Sequence, residues 1–239
     1  MSSYSRKRKR TSGSSYRTSR KRGVYVVPNR LRYSRAPLAT RGYKFPSTEL
    51  KFLDTASTGG IAFGNQSTGA TGAVSIVLIN ASVPGTGATN RIGRKIIMKN
   101  ILMRCYYDAG TNSNSGYVRT MLVYDMQANG ATPSAADIFM NGSTPFITMP
   151  MNLDNRDRFR VIHDRTRYLA GSNGNTDTNE IYYKKYIKLG KGLETIYNAG
   201  SAGTVADIQT GALYLVVMTC NDTANVNARV ETRIRFVDN

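Results

Sequence analysis

The chain has no tryptophan, one histidine and two cysteines. A single histidine cannot build a His-based metal site, and Cys105 and Cys220 lie 115 residues apart, far outside zinc-ligand spacing. Two cysteines are also too few for a disulfide scaffold, which fits a reduced, intracellular origin. No stretch of 18 apolar residues occurs, so no membrane span and no membrane partner are expected. The charged N-terminus lacks the apolar centre of a secretory signal. Its wealth of Arg and Ser also suits a mitochondrial transit peptide, but amphipathic spacing is missing. There is no Gly-x-Ser-x-Gly elbow, no Walker A sequence and no G-x-G-x-x-G. Catalytic residues, metal and cofactor are therefore all expected to be none. His163 alternates with Phe159 and Val161 and reads as a packed, hydrogen-bonded core residue. Asp154 and Asp157 are all that a metal-dependent nuclease would have. They sit among Arg156, Arg158 and Arg160, where ion pairing accounts for them. The glycosylation triplets at Asn65, Asn80, Asn141 and Asn221 are what a chain rich in Ser, Thr and Asn produces by chance.

Acid is scarce too, with 15 Asp+Glu against 33 Lys+Arg, a net charge of +18. The imbalance is local. Residues 1–44 hold 14 Lys/Arg and no acid, and the remainder carries only +4. Such a tail repels itself unless a polyanion neutralises it. Residues 1–23 contain no aliphatic residue beyond Met1. They cannot bury enough apolar surface to offset their conformational entropy, and are expected to be disordered when unbound. Residues 24–47 add Val24, Val26, Val27, Leu31 and Leu38, but also three prolines, and read as an extended arm. The expected division is a basic arm, 1–47, and a shell domain, 48–239.

Within the arm, Arg6, Lys7, Arg8, Lys9 and Arg10, then Arg17, then Arg20, Lys21 and Arg22 are the expected nucleic-acid-binding residues. Flexible cations neutralise phosphates without reading bases, releasing counterions as they bind. The first and last runs also have the composition of nuclear import signals, which makes nuclear import receptors a further expected partner. Tyr4, Tyr16 and Tyr25 are interleaved with arginine and suited to stacking on unpaired bases. Tyr33 and Tyr43 read rather as contacts with the shell domain.

From residue 48 the pattern changes to strand-length runs separated by Gly/Asn/Ser/Thr-rich turns. Eight are expected, at 48–56, 73–83, 94–108, 117–126, 157–169, 180–189, 211–221 and 227–237, with one helical turn at 134–140. In the last run Ala228, Val230, Thr232, Ile234 and Phe236 share one face, and Arg229, Glu231, Arg233 and Arg235 the other. Run 211–221 is apolar on both faces and is expected to be covered on both. Eight antiparallel strands with long loops, among them 57–72 and 109–116, predict an all-β jelly roll of two packed sheets. In run 180–189 Tyr182, Lys184, Tyr186 and Lys188 alternate onto one face. With Arg229, Arg233 and Arg235 they form either a second basic, tyrosine-studded surface facing the nucleic acid or simply a solvated sheet face, and Glu231 counts against the first.

Three blocks resemble the coat proteins of geminiviruses. Asn90-Arg91-Ile92-Gly93-Arg94-Lys95, leading into Lys99-Asn100-Ile101, resembles that family's Arg–aliphatic–Gly–basic–basic turn into a long strand. Asn155-Arg156-Asp157-Arg158-Phe159-Arg160-Val161-Ile162-His163 and Arg233-Ile234-Arg235-Phe236 follow in the family's order. The resemblance spans residues 90–237. It implies a capsid protein of a circular single-stranded DNA virus, with an interior arm, genome binding and nuclear targeting. The expected partners are the single-stranded DNA genome and further copies of the chain in an icosahedral shell of about 60 subunits. The expected locations are the virion and the host nucleus. The chain is shorter than plant geminivirus coat proteins and poorer in Cys and His, which implies a plain single shell rather than a twinned one. Two alternatives share the same tail logic: the coat protein of a small RNA virus or RNA satellite, and a cellular basic nucleic-acid-binding protein.

Overall fold

Alternation of apolar and polar residues places strands throughout the shell domain. The computed structural model describes residues 50–55, 74–108, 116–140, 147–170, 180–220 and 227–238. All of them fall within one unit, Pro46–Asn239. The arm, loop 57–72 and most of loop 109–116 lie outside the described residues. The strands are β1 (Leu50–Thr55), β2 (Val74–Leu78), β3 (Lys95–Asp108), β4 (Gly116–Asp125), β5 (Phe159–Leu169), β6 (Glu180–Tyr197), β7 (Ile208–Thr210), β8 (Ala212–Cys220) and β9 (Asn227–Asp238). A single helical turn, α1 (Ala135–Ile138), sits between β4 and β5, where residues 134–140 predicted one. Ser134 and Asp137 close it with a reciprocal capping box.

Two antiparallel sheets result, ordered β1-β9-β3-β6-β7 and β2-β8-β4-β5. Without β7 this is jelly-roll order, as expected, and the three-residue β7 makes nine strands among the described residues rather than eight. Its pairing with the end of β6 explains the second departure. β6 runs to Tyr197, well past the expected end at 189, because Gly190 and Gly192 do not terminate it. They take φ of +60° and +102° inside a bulge, where pairing with β3 jumps from Asn100–Lys188 to Met98–Leu193.

The inward faces supply the core. Ala228, Val230, Ile234 and Phe236 of β9 are fully buried, as are Met98, Ile101, Met103 and Cys105 of β3. Both faces of β8 are buried, as its composition predicted, from Ala212 to Thr219. Segment 126–158 contributes Ile138 and Phe139 to the same cluster. Arg119 ties that segment to β4, donating to the Ile147 and Met149 carbonyls at 3.0 and 2.7 Å, with its guanidinium 5.7 Å from the Phe139 ring centre.

A buried polar network joins the sheets. Asn80 Nδ2 donates to Thr195 Oγ1 and the Gly211 carbonyl, both at 2.9 Å, and Asn80 Oδ1 accepts from the Leu213 amide. Asn80 is fully buried, so in the folded chain its glycosylation triplet is closed. Arg91, at the head of the Arg-Ile-Gly-Arg-Lys turn, is buried beside this network. It donates to the carbonyls of Ser82, Gly93 and Gly200 and stacks 4.4 Å from the Tyr197 ring centre. The turn enters β3 as a structural clamp, with its arginine satisfied by backbone oxygens.

Candidate nucleic-acid interface

β6, β3 and β9 are consecutive in one sheet, so alternate residues of all three point the same way. The pairing register sets them in rows. Tyr182 lies beside Tyr106 and Arg229, and Lys184 beside Arg104 and Glu231. Tyr186 lies beside Leu102 and Arg233, and Lys188 beside Asn100 and Arg235. β1 extends the last two rows with Asp54 against Arg233 and Phe52 against Arg235. Lys184, Lys188, Arg229, Arg233 and Arg235 therefore share one face of one sheet, on the side away from the core. All five are exposed, and Tyr182 and Tyr186 are 63% and 49% exposed between them.

The charges on this face are not equivalent. Arg233 makes a two-point contact with Asp54, Nε to Oδ1 at 2.6 Å and Nη2 to Oδ2 at 2.7 Å, and lies 5.2 Å from the Phe52 ring centre. Its charge is already met, and hydrogen bonding to Asp54 raises its pKa further. Glu231 sits beside Arg104. Lys184, Lys188, Arg229 and Arg235 carry the remaining positive field. A depression of about 130 Å³ opens between Asp54, Leu102, Arg104, Glu231 and Arg233. At the upper rows a hydrogen bond to Glu180 pushes the Tyr106 hydroxyl up to about 12.

Arg104 and Tyr106 were missed in the sequence, although a period-two reading of β3 from Ile101 finds both. The pairing of Arg233 with Asp54 was not accessible, because the partners are 179 residues apart. The nine arm residues, Arg6 to Arg22, lie outside the described residues.

Two other expectations need correction. His163 is only half-buried, and its Nε2 has no hydrogen-bond partner among the described residues, so it is not the satisfied core histidine expected. Burial, then Lys185 and Arg165, lower its pKa. The arginines beside Asp154 and Asp157 do not all pair with them. Arg158 turns inward to the fully buried Asp125, at 3.0 and 2.9 Å, and only an exposed 3.9 Å contact joins Arg156 to Asp157. The described residues contain no cluster of three potential metal ligands.

Among solved structures, the chain is similar to one from Desmodium yellow mottle tymovirus, at 10% identity over 80% of this chain and 88% of that one, with a TM-score of 0.32. No curated protein matches it. Residues 2–239 match the family model of the geminivirus coat protein/nuclear export factor BR1 family. The match covers nearly the whole chain, including the arm and the three blocks that carry the resemblance, and the chain belongs to that family.

Proposed function

We propose that this protein is the coat protein of a small single-stranded DNA virus, self-assembling into an icosahedral shell and packaging the genome with its arm and its β6–β3–β9 face. Family membership supports the capsid role. The observation that carries the genome-binding role is the row arrangement, which sets exposed Tyr182 and Tyr186 among Lys184, Lys188, Arg104, Arg229 and Arg235. Stacking surfaces interleaved with cations suit a single strand, whose bases are free to leave one another. The arm adds sequence-independent charge, and its Arg6–Arg10 and Arg20–Arg22 runs give the protein a route to the host nucleus.

Negative-stain microscopy of the full recombinant chain with nucleic acid tests assembly, with closed shells expected. A chain that stays monomeric by light scattering overturns the capsid reading. Nuclease digestion of the contents of purified particles tests the genome type. Sensitivity to DNase is expected, and sensitivity to RNase alone moves the protein to the RNA-virus alternative.

A further inference from the structure

β5 ends one sheet, and β6 is outermost in the other until Ile196 and Tyr197 meet β7. The rim where these strands come together is lined by cations from both. β5 contributes Arg165 and Arg167 beside His163, and β6 contributes Lys185. The two guanidinium groups are held over the Tyr183 ring, 5.3 and 5.5 Å from its centre. Among the described residues of β5 and β6, acid is scarce beside these cations. Asp164, the only acid in β5, is held by Arg119 at 2.9 and 2.6 Å, and β6 has none between Ile181 and Leu193. His163 Nε2 and Arg167 Nε are buried without a hydrogen-bond partner among the described residues. Crowded like charges cost stability, and an anion drawn to the partly exposed Arg165 and Arg167 and the exposed Lys185 relieves that cost.

Further along the rim a groove of about 400 Å³ opens between Arg160–Ile162 and Ile187–Leu193. Two irregularities create it. β5 slips by one residue at Ile162, where pairing with β4 passes from His163–Leu122 to Val161–Val123, and β6 carries its glycine bulge opposite. Arg160, Lys188 and Lys191 line the groove. Its size is that of a small-ligand site, typically about 300–1,000 Å³. Lys188 also belongs to the tyrosine-studded face. It lies two residues, about 6.6 Å, along β6 from Tyr186, so the charge runs without a break from that face round the edge of the sandwich.

We infer that the β5–β6 rim is a second phosphodiester-binding track, into which a single strand stacked on the Tyr182–Tyr186 face continues through Lys188 to Arg165, Arg167 and Lys185. The inference rests on the reading of the chain as a genome-binding coat protein. Contact with the Tyr183 ring restrains both guanidinium groups beforehand, and the planar fork of arginine suits phosphate oxygens.

The test uses the full chain and a fluorescent oligothymidylate, with binding followed by anisotropy across a range of salt. In the triple variant Arg165→Gln, Arg167→Gln, Lys185→Gln, the log–log salt slope is expected to fall by about 2, three single-strand contacts at roughly 0.7 each. The variant Arg165→Lys, Arg167→Lys keeps the charge and is expected to retain most of the slope, which separates lost charge from lost fold. Photo-crosslinking with an iodouridine oligonucleotide is expected to label the β5 peptide 159–169, which lies outside the tyrosine-studded face. A wild-type slope that the triple variant leaves unchanged overturns the rim track while the coat-protein reading stands. So does labelling confined to the arm, or lost assembly with binding intact, which makes the rim a contact between copies. A wild-type chain that fails to bind the oligonucleotide removes the genome-binding reading and the rim with it.

Discussion

Asp125 is a fully buried carboxylate, made tolerable by the two-point contact with Arg158 and by the Gln127 amide at 3.0 Å. Removing the cation leaves the charge without compensation, so Arg158→Ala is expected to cost about 3–5 kcal/mol, read as a lower urea midpoint at neutral pH. His163 titrates in a more exposed setting. Its folded pKa lies below the ordinary 6.5 because burial and the cations Lys185 and Arg165 oppose its protonation. The unfolded chain therefore binds the proton first. Stability is expected to fall as pH drops below about 6.5 and to level off once the folded histidine also protonates. His163→Gln removes that component, so urea midpoints at about pH 5 and pH 7.5 should lie closer together in the variant than in the wild type.

The bulge in β6 depends on Gly192. A Cβ there would stand 2.4 Å from Ile97 Cγ2 and 3.0 Å from the Met98 carbonyl oxygen, at a φ of +102°. Gly192→Ala is expected to destabilise by about 1–3 kcal/mol. Gly190→Ala, with open space around its Cβ, should cost less, and thermal unfolding compares the two. On β9, two arginines two residues apart should behave differently. Arg235→Gln is expected to lower the salt slope of oligonucleotide binding by about 0.7. Arg233→Gln should lower it by clearly less, since Asp54 already occupies its guanidinium. Equal effects would show that the ion pair opens on binding. Strand elements were legible because their alternation is strong, as in Ala228 to Phe236. The end of β6 was not, because a glycine pair reads the same in a turn and in a bulge.

Over the whole chain, charge is concentrated at one end. Residues 1–23 carry nine Lys/Arg and no aliphatic residue beyond Met1. Deleting them is expected to leave the circular dichroism of the β domain unchanged while most packaged nucleic acid is lost, measured by absorbance ratio of purified particles. Packaging at the wild-type level after the deletion would place genome retention on the sheet face and rim instead. In the proposed shell of about 60 copies, the 14 arm charges would amount to roughly 840 positive charges against one negative charge per nucleotide. A genome of about a thousand nucleotides or more leaves a deficit that surface cations of the shell domain can meet.

Composition and alternation by themselves determined the concentration of positive charge in residues 1–44, the all-β class, the absence of metal-site and nucleotide-loop motifs from the sequence, and the faces of β6 and β9. These properties are local, since period-two patterning and charge runs are written in neighbouring residues. Tertiary structure decided which faces meet. Only pairing through β3 sets Lys188 in a row with Arg235, only the return of β1 brings Asp54 to Arg233, and only the stacking of two sheets sets Arg165 and Arg167 over Tyr183. Each joins residues far apart in the chain, and whether a cation is paired or free depends on neighbours that no local pattern names.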